Sequence, residues 1–257
     1  MAEILLQTAG LSHSFGHLKA VDAVNLSIRR GTITGLIGPN GAGKSTLFNL
    51  LTGAIPCGSG HIKLGEEDVT ALPPDIRFSK GLGRTFQIPR PFARMSVLEN
   101  IMVAPTGQVG ERIAGPFFNR ARVREQERAI RARALEVLDF VTLGALADHP
   151  AGKISGGQMK LLELARVLMG DPQVILLDEP AAGVNPSLTQ VLIEKIEELN
   201  RQGKTFVIIE HDMDFVMRHC DPVIALDKGR IVFEGTAAEA QDNPVLREAY
   251  LGAMAHA

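Results

Sequence analysis

The run Gly38-Pro-Asn-Gly-Ala-Gly-Lys-Ser-Thr46 has the residue types and spacing that hold a phosphate. It fits G-x-x-x-x-G-K-[ST] at Gly38, Gly43, Lys44 and Ser45, with Pro39, Asn40, Gly41 and Ala42 between them and Thr46 after. Its glycines let the backbone curl into a nest of inward N–H groups, and a following helix would turn its positive end to the same anion. Taken alone, the match is also met by a glycine-rich turn that happens to precede a lysine. Downstream, Val174-Ile-Leu-Leu-Asp178-Glu179 is an apolar run ending in two acids. Asp178 is placed to hold Mg²⁺ through water with Ser45 on the other side, and Glu179 to take a proton from an attacking water; the alternative is an ordinary acidic turn. Ser155, Gly156, Gly157 and Gln158 open a helix with free N–H groups, either a second phosphate-sized site or a plain capped helix start. Gln87 stands where a strand gives way to a loop broken by Pro89 and Pro91, so its amide can reach a metal or a water and can also move. His211 follows an apolar strand and can touch a terminal phosphate, whereas His13, His17, His61, His149, His219 and His256 read as structural. Phe15 offers a flat ring that either stacks on a base or fills a core.

These groups need elements to carry them. Thr32 to Ile37 reads as a short buried strand and Ser45 to Thr52 as a helix, which sets the glycine loop between strand and helix. Leu5 to Ile28 alternates like antiparallel strands joined by turns, His61 to Leu64 is a strand, and Leu82 to Phe86 is a strand ending on Gln87. A helix is expected from Ser96 through Val103, then a Gly/Pro-containing stretch from Pro105 to Pro116, then a charged segment from Asn119 to Phe140. In that segment Val123, Ile130, Ala134, Val137, Leu138 and Val141 keep a helical period and the arginines and glutamates form a solvated face. A helix from Met159 to Met169, strands at 174–178 and 205–209, helices at 187–200 and 213–219, strands at 222–226 and 231–234 and a short helical tail complete the expectation. The continuous apolar strands suit a parallel sheet buried on both faces, with ligands at its carboxyl ends. The fold class is therefore α/β, with residues 92–169 as a helical subdomain inserted between 1–91 and 170–257.

At 257 residues the chain can bury a substantial core. A net charge of -2, from 27 basic and 29 acidic side chains, argues against a nucleic-acid partner held by phosphate neutralisation. Cys57 and Cys220 form no CxxC or Cys/His cluster and read as small apolar fillers. The opening Met-Ala-Glu-Ile lacks the features of a secretory peptide and no window is apolar for 18 residues, so the expected location is cytoplasmic, and any work at a membrane needs other chains to cross it.

In the order lysine loop, Gln87, Ser-Gly-Gly-Gln, Asp-Glu and His211, the chain resembles the ATP-binding subunit of an ABC transporter over essentially its full length. The pieces Gly83-Arg-Thr-Phe-Gln-Ile-Pro-Arg-Pro-Phe92, Asp178-Glu-Pro-Ala-Ala-Gly-Val-Asn-Pro186, Glu210-His-Asp-Met-Asp214 and Glu248-Ala-Tyr-Leu-Gly252 are similar to the branched-chain amino acid importers. The resemblance implies a P-loop NTPase fold with a mainly parallel core, an antiparallel β subdomain and the inserted helical subdomain. It implies an ATPase using ATP and Mg²⁺: Lys44 and the loop amides on the β and γ phosphates, Ser45 and Asp178 on the metal, Thr46 on a further phosphate oxygen, and Glu179 as base with His211 beside the terminal phosphate. Gln87 would link metal and attacking water to transmembrane permease subunits. Ser155 and Gly157 would bind the γ phosphate held by a second ATPase subunit. A substrate-binding protein would join indirectly, and the chain would sit peripherally on the inner face of the cell membrane. Phe15 stands where the family has tyrosine, Ile154 where it has leucine, and Asn185 where it has aspartate, the last removing a charge from the subunit interface.

Rival readings are an ABC ATPase of another transporter, for another amino acid, urea, lipid or polysaccharide, and a soluble ABC ATPase acting on nucleic acid or ribosomes, for which the sequence carries no paired cassette, coiled coil or zinc insert. A GTP switch or small-molecule kinase shares only the lysine loop, and guanine selectivity would need a base-reading Asn-Lys-x-Asp, which is absent. A non-catalytic cassette is disfavoured by the presence of both Glu179 and His211.

Overall fold

A computed structural model describes residues 3–108 and 120–246. The chain begins with the antiparallel strands β1 (Ile4–Phe15), β2 (Leu18–Val24) and β3 (Ser27–Arg29), enters the buried β4 (Ile33–Ile37) and turns into α1 (Lys44–Leu51). Next come β5 (Ser59–Leu64), β6 (Glu67–Asp68), α2 (Pro74–Ser79) and β7 (Leu82–Arg84), then three helices, α3 (Val97–Met102), α4 (Arg120–Phe140) and α5 (Gly156–Leu168). The remainder alternates: β8 (Val174–Asp178), α6 (Pro186–Arg201), β9 (Thr205–Ile209), α7 (Met213–His219), β10 (Val223–Asp227), β11 (Arg230–Gly235) and α8 (Ala237–Asp242). Two compact units result. One takes the chain up to Arg84, Gln173–Pro180 and everything from Ile196 onward, and the other takes Thr85–Pro172 and Ala181–Lys195.

The first unit holds two sheets. The smaller is antiparallel, in the order β2-β1-β5-β6 with β3 also on β1. The larger runs β11-β10-β4-β9-β8-β7, parallel from β10 to β7 with β11 antiparallel on the edge. All five residues of β8 and of β9 are buried, the signature of strands covered on both faces. At eight residues α1 is too short to hold itself, and its stability comes from burial. Leu47, Phe48, Leu50 and Leu51 share one apolar cluster with Leu6, Leu11 and Ile62 of the small sheet and Leu36, Leu176, Val207 and Ile224 of the large one. Each such side chain contributes about 1.5–3 kcal/mol. The far end of α1 is closed by Arg77, only 2% exposed, whose guanidinium donates to the carbonyls of Leu50 and Leu51 at 2.7 Å, Thr70 at 2.7 Å and Leu72 at 2.8 Å.

Strand register sets the site. Leu36 of β4 and Asp178 of β8 both stand opposite Ile209 of the intervening β9, one on each side. With neighbouring strands about 4.8 Å apart, the chain leaving β4 for the glycine loop and the chain leaving β8 for Glu179 are roughly 10 Å apart at one edge of the sheet.

The second unit is helical. Ser96 and Glu99 form a capping box at the start of α3, and Asn100, fully buried, accepts from Phe92 N at 2.8 Å and donates to the carbonyls of Phe92 and Ser96. On α4 only Ala134, Val137 and Leu138 are buried and the arginines face outward. Several boundaries shift by one to three residues from expectation, and two of the shifts have a visible cause. β7 stops at Arg84 instead of running to Phe86, because the Phe86 N–H donates to the Glu163 carboxylate at 2.8 Å. The helix expected from Met159 starts at Gly156, because Ser155 caps it. The stretch from Pro105 to Pro116 is described only as far as Gln108, and Asn119 and the Glu248-Ala-Tyr-Leu-Gly ending lie outside the described residues. Among the described residues no helix is long and apolar enough to cross a membrane.

Candidate active site

The glycine loop is shaped by close approach. Gly43 has φ 102 and its Cα faces the Ala20 carbonyl oxygen so closely that a Cβ there would collide with it. Only glycine meets both demands. Gly43 is also the N-cap of α1 and brings no side chain to its first amides, so the N–H groups around Ser45 and Thr46 remain for an anion. Lys44 is 6% exposed and its ammonium donates to the carbonyls of Gly38 at 2.6 Å and Pro39 at 3.1 Å, so the charge sits within the curve of the loop. Burial lowers its pKa, and the Glu179 and Asp178 carboxylates draw it back up.

Asp178 ends β8, is 4% exposed as a residue, and has its carboxylate paired to Arg84 Nη2 at 2.9 Å. The other nitrogen, Nη1, donates to Asn49 Oδ1 of α1 at 2.5 Å, and the guanidinium lies 5.6 Å from the centre of the Phe48 ring. Arg84 thus ties β8 to the helix that follows the glycine loop. Sequence reasoning had it only as one letter of Gly83-Arg-Thr-Phe-Gln, since a lone arginine on a strand does not announce its partner.

Glu179 continues the ladder one residue past the strand, donating its N–H to the Ile209 carbonyl at 2.9 Å while its own φ is 48. For a side chain with a Cβ that left-handed conformation costs about 1–3 kcal/mol. It aims the carboxylate at His211, whose Nε2 is 2.9 Å from Oε1. Both groups reach solvent, Glu179 less so than His211. A carboxylate oriented by an imidazole, beside a buried aspartate and a lysine loop, can accept a proton from water next to a phosphate.

Phe15 ends β1 opposite Leu18, is 52% exposed and meets the His13 ring edge-on at 4.6 Å, so it is not a core residue. Gln87 and the Ser155–Gln158 turn belong to the helical unit. Gln87 is exposed. The Ser155 hydroxyl accepts from Gln158 N at 3.3 Å while Gln158 Oε1 accepts from Ser155 N at 2.8 Å, a reciprocal capping box. Gly157 is packed against Val184 and Leu188 with no room for a Cβ, whereas Gly156 faces open space. Asn185 Oδ1 accepts from Leu188 N at 2.9 Å and from the Ser187 hydroxyl at 2.8 Å, so this amide caps α6.

Among the described residues no group of three or more His, Cys, Asp or Glu could cage a metal. Magnesium does not ask for one: it keeps several waters and takes one or two protein oxygens together with phosphate oxygens. A serine hydroxyl at a helix start and one strand-end carboxylate, Ser45 and Asp178, fit that demand.

A lysine loop after β4, an aspartate closing β8 and a glutamate–histidine pair at the end of β8 and β9 define a P-loop nucleotide cassette. A model of the ABC transporter family matches residues 21–182. The chain is 41% identical over 97% of its length to a probable branched-chain amino acid transport ATP-binding protein, LivG, of Archaeoglobus fulgidus, covering 96% of that protein. It is 38% identical to BraF of Pseudomonas aeruginosa, a high-affinity branched-chain amino acid transport ATP-binding protein, with 98% of this chain and 99% of the relative covered. A nucleotide-free ATP-binding cassette from an ABC transporter superimposes with a TM-score of 0.82 at 35% identity, covering 96% of this chain and 98% of its own. The ADP conformation of an ATP-binding cassette of an ABC transporter gives 0.81 at 36% identity, covering 97% and 99%. The chain belongs to the ABC transporter family, as an ATP-binding subunit that hydrolyses ATP.

Proposed function

We propose that this chain powers a membrane importer of branched-chain or other hydrophobic amino acids. The observation that carries the reading is the convergence of the Lys44 loop, Asp178 and the Glu179–His211 pair at the carboxyl ends of three adjacent strands, β4, β9 and β8. The names of relatives matched along nearly their whole length point to the cargo. Two such subunits pair head to tail, each ATP lying between the Gly38–Thr46 loop of one and the Ser155–Gln158 turn of the other. Lys44 and the loop amides hold the β and γ phosphates, Phe15 stacks on the base, and Glu179, oriented by His211, accepts the proton of the attacking water. Mg²⁺, held by Ser45 and Asp178 with Gln87 nearby, would neutralise charge on the phosphates. The Gln87 loop and the helical unit pass the closing motion to permease subunits, with the chain peripheral on the inner face of the membrane.

A positioned base contributes about 10²- to 10⁴-fold in rate. Glu179→Gln is therefore expected to lower ATP turnover by that much while ATP affinity stays within about twofold, since the substitution keeps shape and leaves Lys44 and the loop intact. Normal turnover in the variant would remove Glu179 from the role of base. Co-purification with membrane proteins, and leucine uptake that depends on this subunit, are the expected results for the transport assignment; association with ribosomes instead would overturn it.

A further inference from the structure

On α5 two charged side chains, Lys160 and Glu163, are 9% and 6% exposed among mostly apolar neighbours. Burying charge is costly unless each group finds hydrogen-bond partners. Beside the Arg166 guanidinium, 3.8 Å from Glu163 on the same helix, three of their hydrogen bonds reach one short stretch of chain. The Lys160 ammonium donates to the Gln87 carbonyl oxygen at 2.6 Å. The Glu163 carboxylate accepts from the Phe86 N–H at 2.8 Å and from the backbone N–H of Arg90. All three bonds address backbone, so they set the path of residues 86–90 while the side chains of Phe86, Gln87 and Ile88 stay exposed. The same helix begins at Ser155, five residues before Lys160, or about 7.5 Å along a stiff axis.

We propose that Lys160 and Glu163 are positioning residues that clamp the Gln87 loop to the helix whose first turn is Ser155–Gln158, so that the two elements travel as one piece. This rests on the roles given to Gln87 and Ser155 above. Gln87 then reaches metal and water only in step with delivery of the Ser155 turn to a neighbouring nucleotide. The charges act on main chain, so the clamp is indifferent to which side chains the loop displays.

The test uses the full chain and four variants: Glu163→Leu, Lys160→Met, and the conservative Glu163→Gln and Lys160→Arg. Amide hydrogen exchange is read across residues 85–91, α3 and α5, together with kcat and KM for ATP. The expected result is exchange at residues 86–90 faster by roughly tenfold or more in Glu163→Leu and Lys160→Met, with α3 and α5 as protected as before. In the same two variants kcat falls by about tenfold with KM for ATP unchanged, and Glu163→Gln, which still offers an acceptor, and Lys160→Arg recover most of both. Unchanged exchange at 86–90 in both variants overturns the clamp. Faster exchange with full kcat overturns its link to turnover. Loosening of α3 and α5 without rescue by the conservative pair makes the two residues structural only and overturns the proposal. Lys160→Met keeps the apolar stem, so the question stays answerable if Glu163→Leu fails to fold. The exchange arm needs no ATP turnover, so it separates failure of the clamp from failure of the functional assignment.

Discussion

The Arg84–Asp178 pair is the sharpest point at which to perturb the site. Arg84 and Asp178 have 12% and 5% of their side chains exposed and meet at 2.9 Å, and Arg84 also bonds Asn49. Arg84→Met keeps much of the side-chain volume and removes both bonds, leaving a buried carboxylate without its cation. Breaking such a pair costs about 3–5 kcal/mol, more than the attraction itself is worth, because the remaining charge is still buried. At about 2–4 °C per kcal/mol for a chain of this size, the melting temperature should fall by on the order of 10 °C. The double variant Arg84→Met/Asp178→Asn no longer strands a charge and should recover a large part of the loss, giving a coupling of about 2 kcal/mol or more in a double-mutant cycle. Urea unfolding of wild type, both single variants and the double, with m-values compared, measures it. A loss below about 1 kcal/mol for Arg84→Met, or strict additivity in the cycle, would refute the reasoning, because either result means that Asp178 does not depend on Arg84 for compensation.

Arg77→Met should destabilise the chain by at least about 3 kcal/mol in urea unfolding, since four carbonyl contacts of one buried cation are lost, and Arg77→Lys should restore only part, one ammonium being unable to span them. Asn185→Ala should cost about 1 kcal/mol by uncapping α6, whereas Asn185→Asp should keep the cap and hold or slightly raise the melting temperature. Burial pushes the Cys220 thiol up to about 12, so alkylation at pH 8 followed by mass spectrometry should label the half-buried Cys57 first and Cys220 only as the chain unfolds. The same shift has a pH sign: an unfolded thiol ionises near its ordinary value of 9.0, so stability from this group is complete below that and declines as pH rises toward 12.

What the sequence discloses about this chain follows the range of its interactions. β8 and β9 are legible because strands buried on both faces must be apolar throughout, and the loop from Gly38 to Thr46 is legible because phosphate binding constrains consecutive residues. Asp178 and Glu179 are legible as the polar end of an apolar run. Arg77, Arg84, Lys160 and Glu163 are not, since each is defined by partners remote in the chain. A faint signal exists for the last two: charges at positions i and i+3 on an otherwise apolar helix have to be explained by something. The misplaced end of β7 has the same cause, for Phe86 N looks like a strand amide until Glu163 claims it. Ser155, by contrast, announced its helix through local bonding alone, and only the exact start at Gly156 needed the capping box to be recognised. Phe15 could be assigned to neither core nor surface from its position in an alternating strand, and exposure decides the first half of that question.

The bond from Glu179 N to the Ile209 carbonyl means that one strand, β9, delivers both members of the glutamate–histidine pair: it fixes where Glu179 sits, and His211 follows two residues after its end. Side chains alternate along a strand, so a chain that had paired β8 with β9 one residue out of step would turn Glu179 to the opposite face while keeping much of its apolar burial. Pairing of this kind, between segments distant in sequence, is intrinsically slow to form. On the roles proposed for Glu179 and His211, turnover is therefore a quality control on assembly: in a refolded sample the specific activity counts molecules in correct register, which circular dichroism would tally together with their slipped siblings.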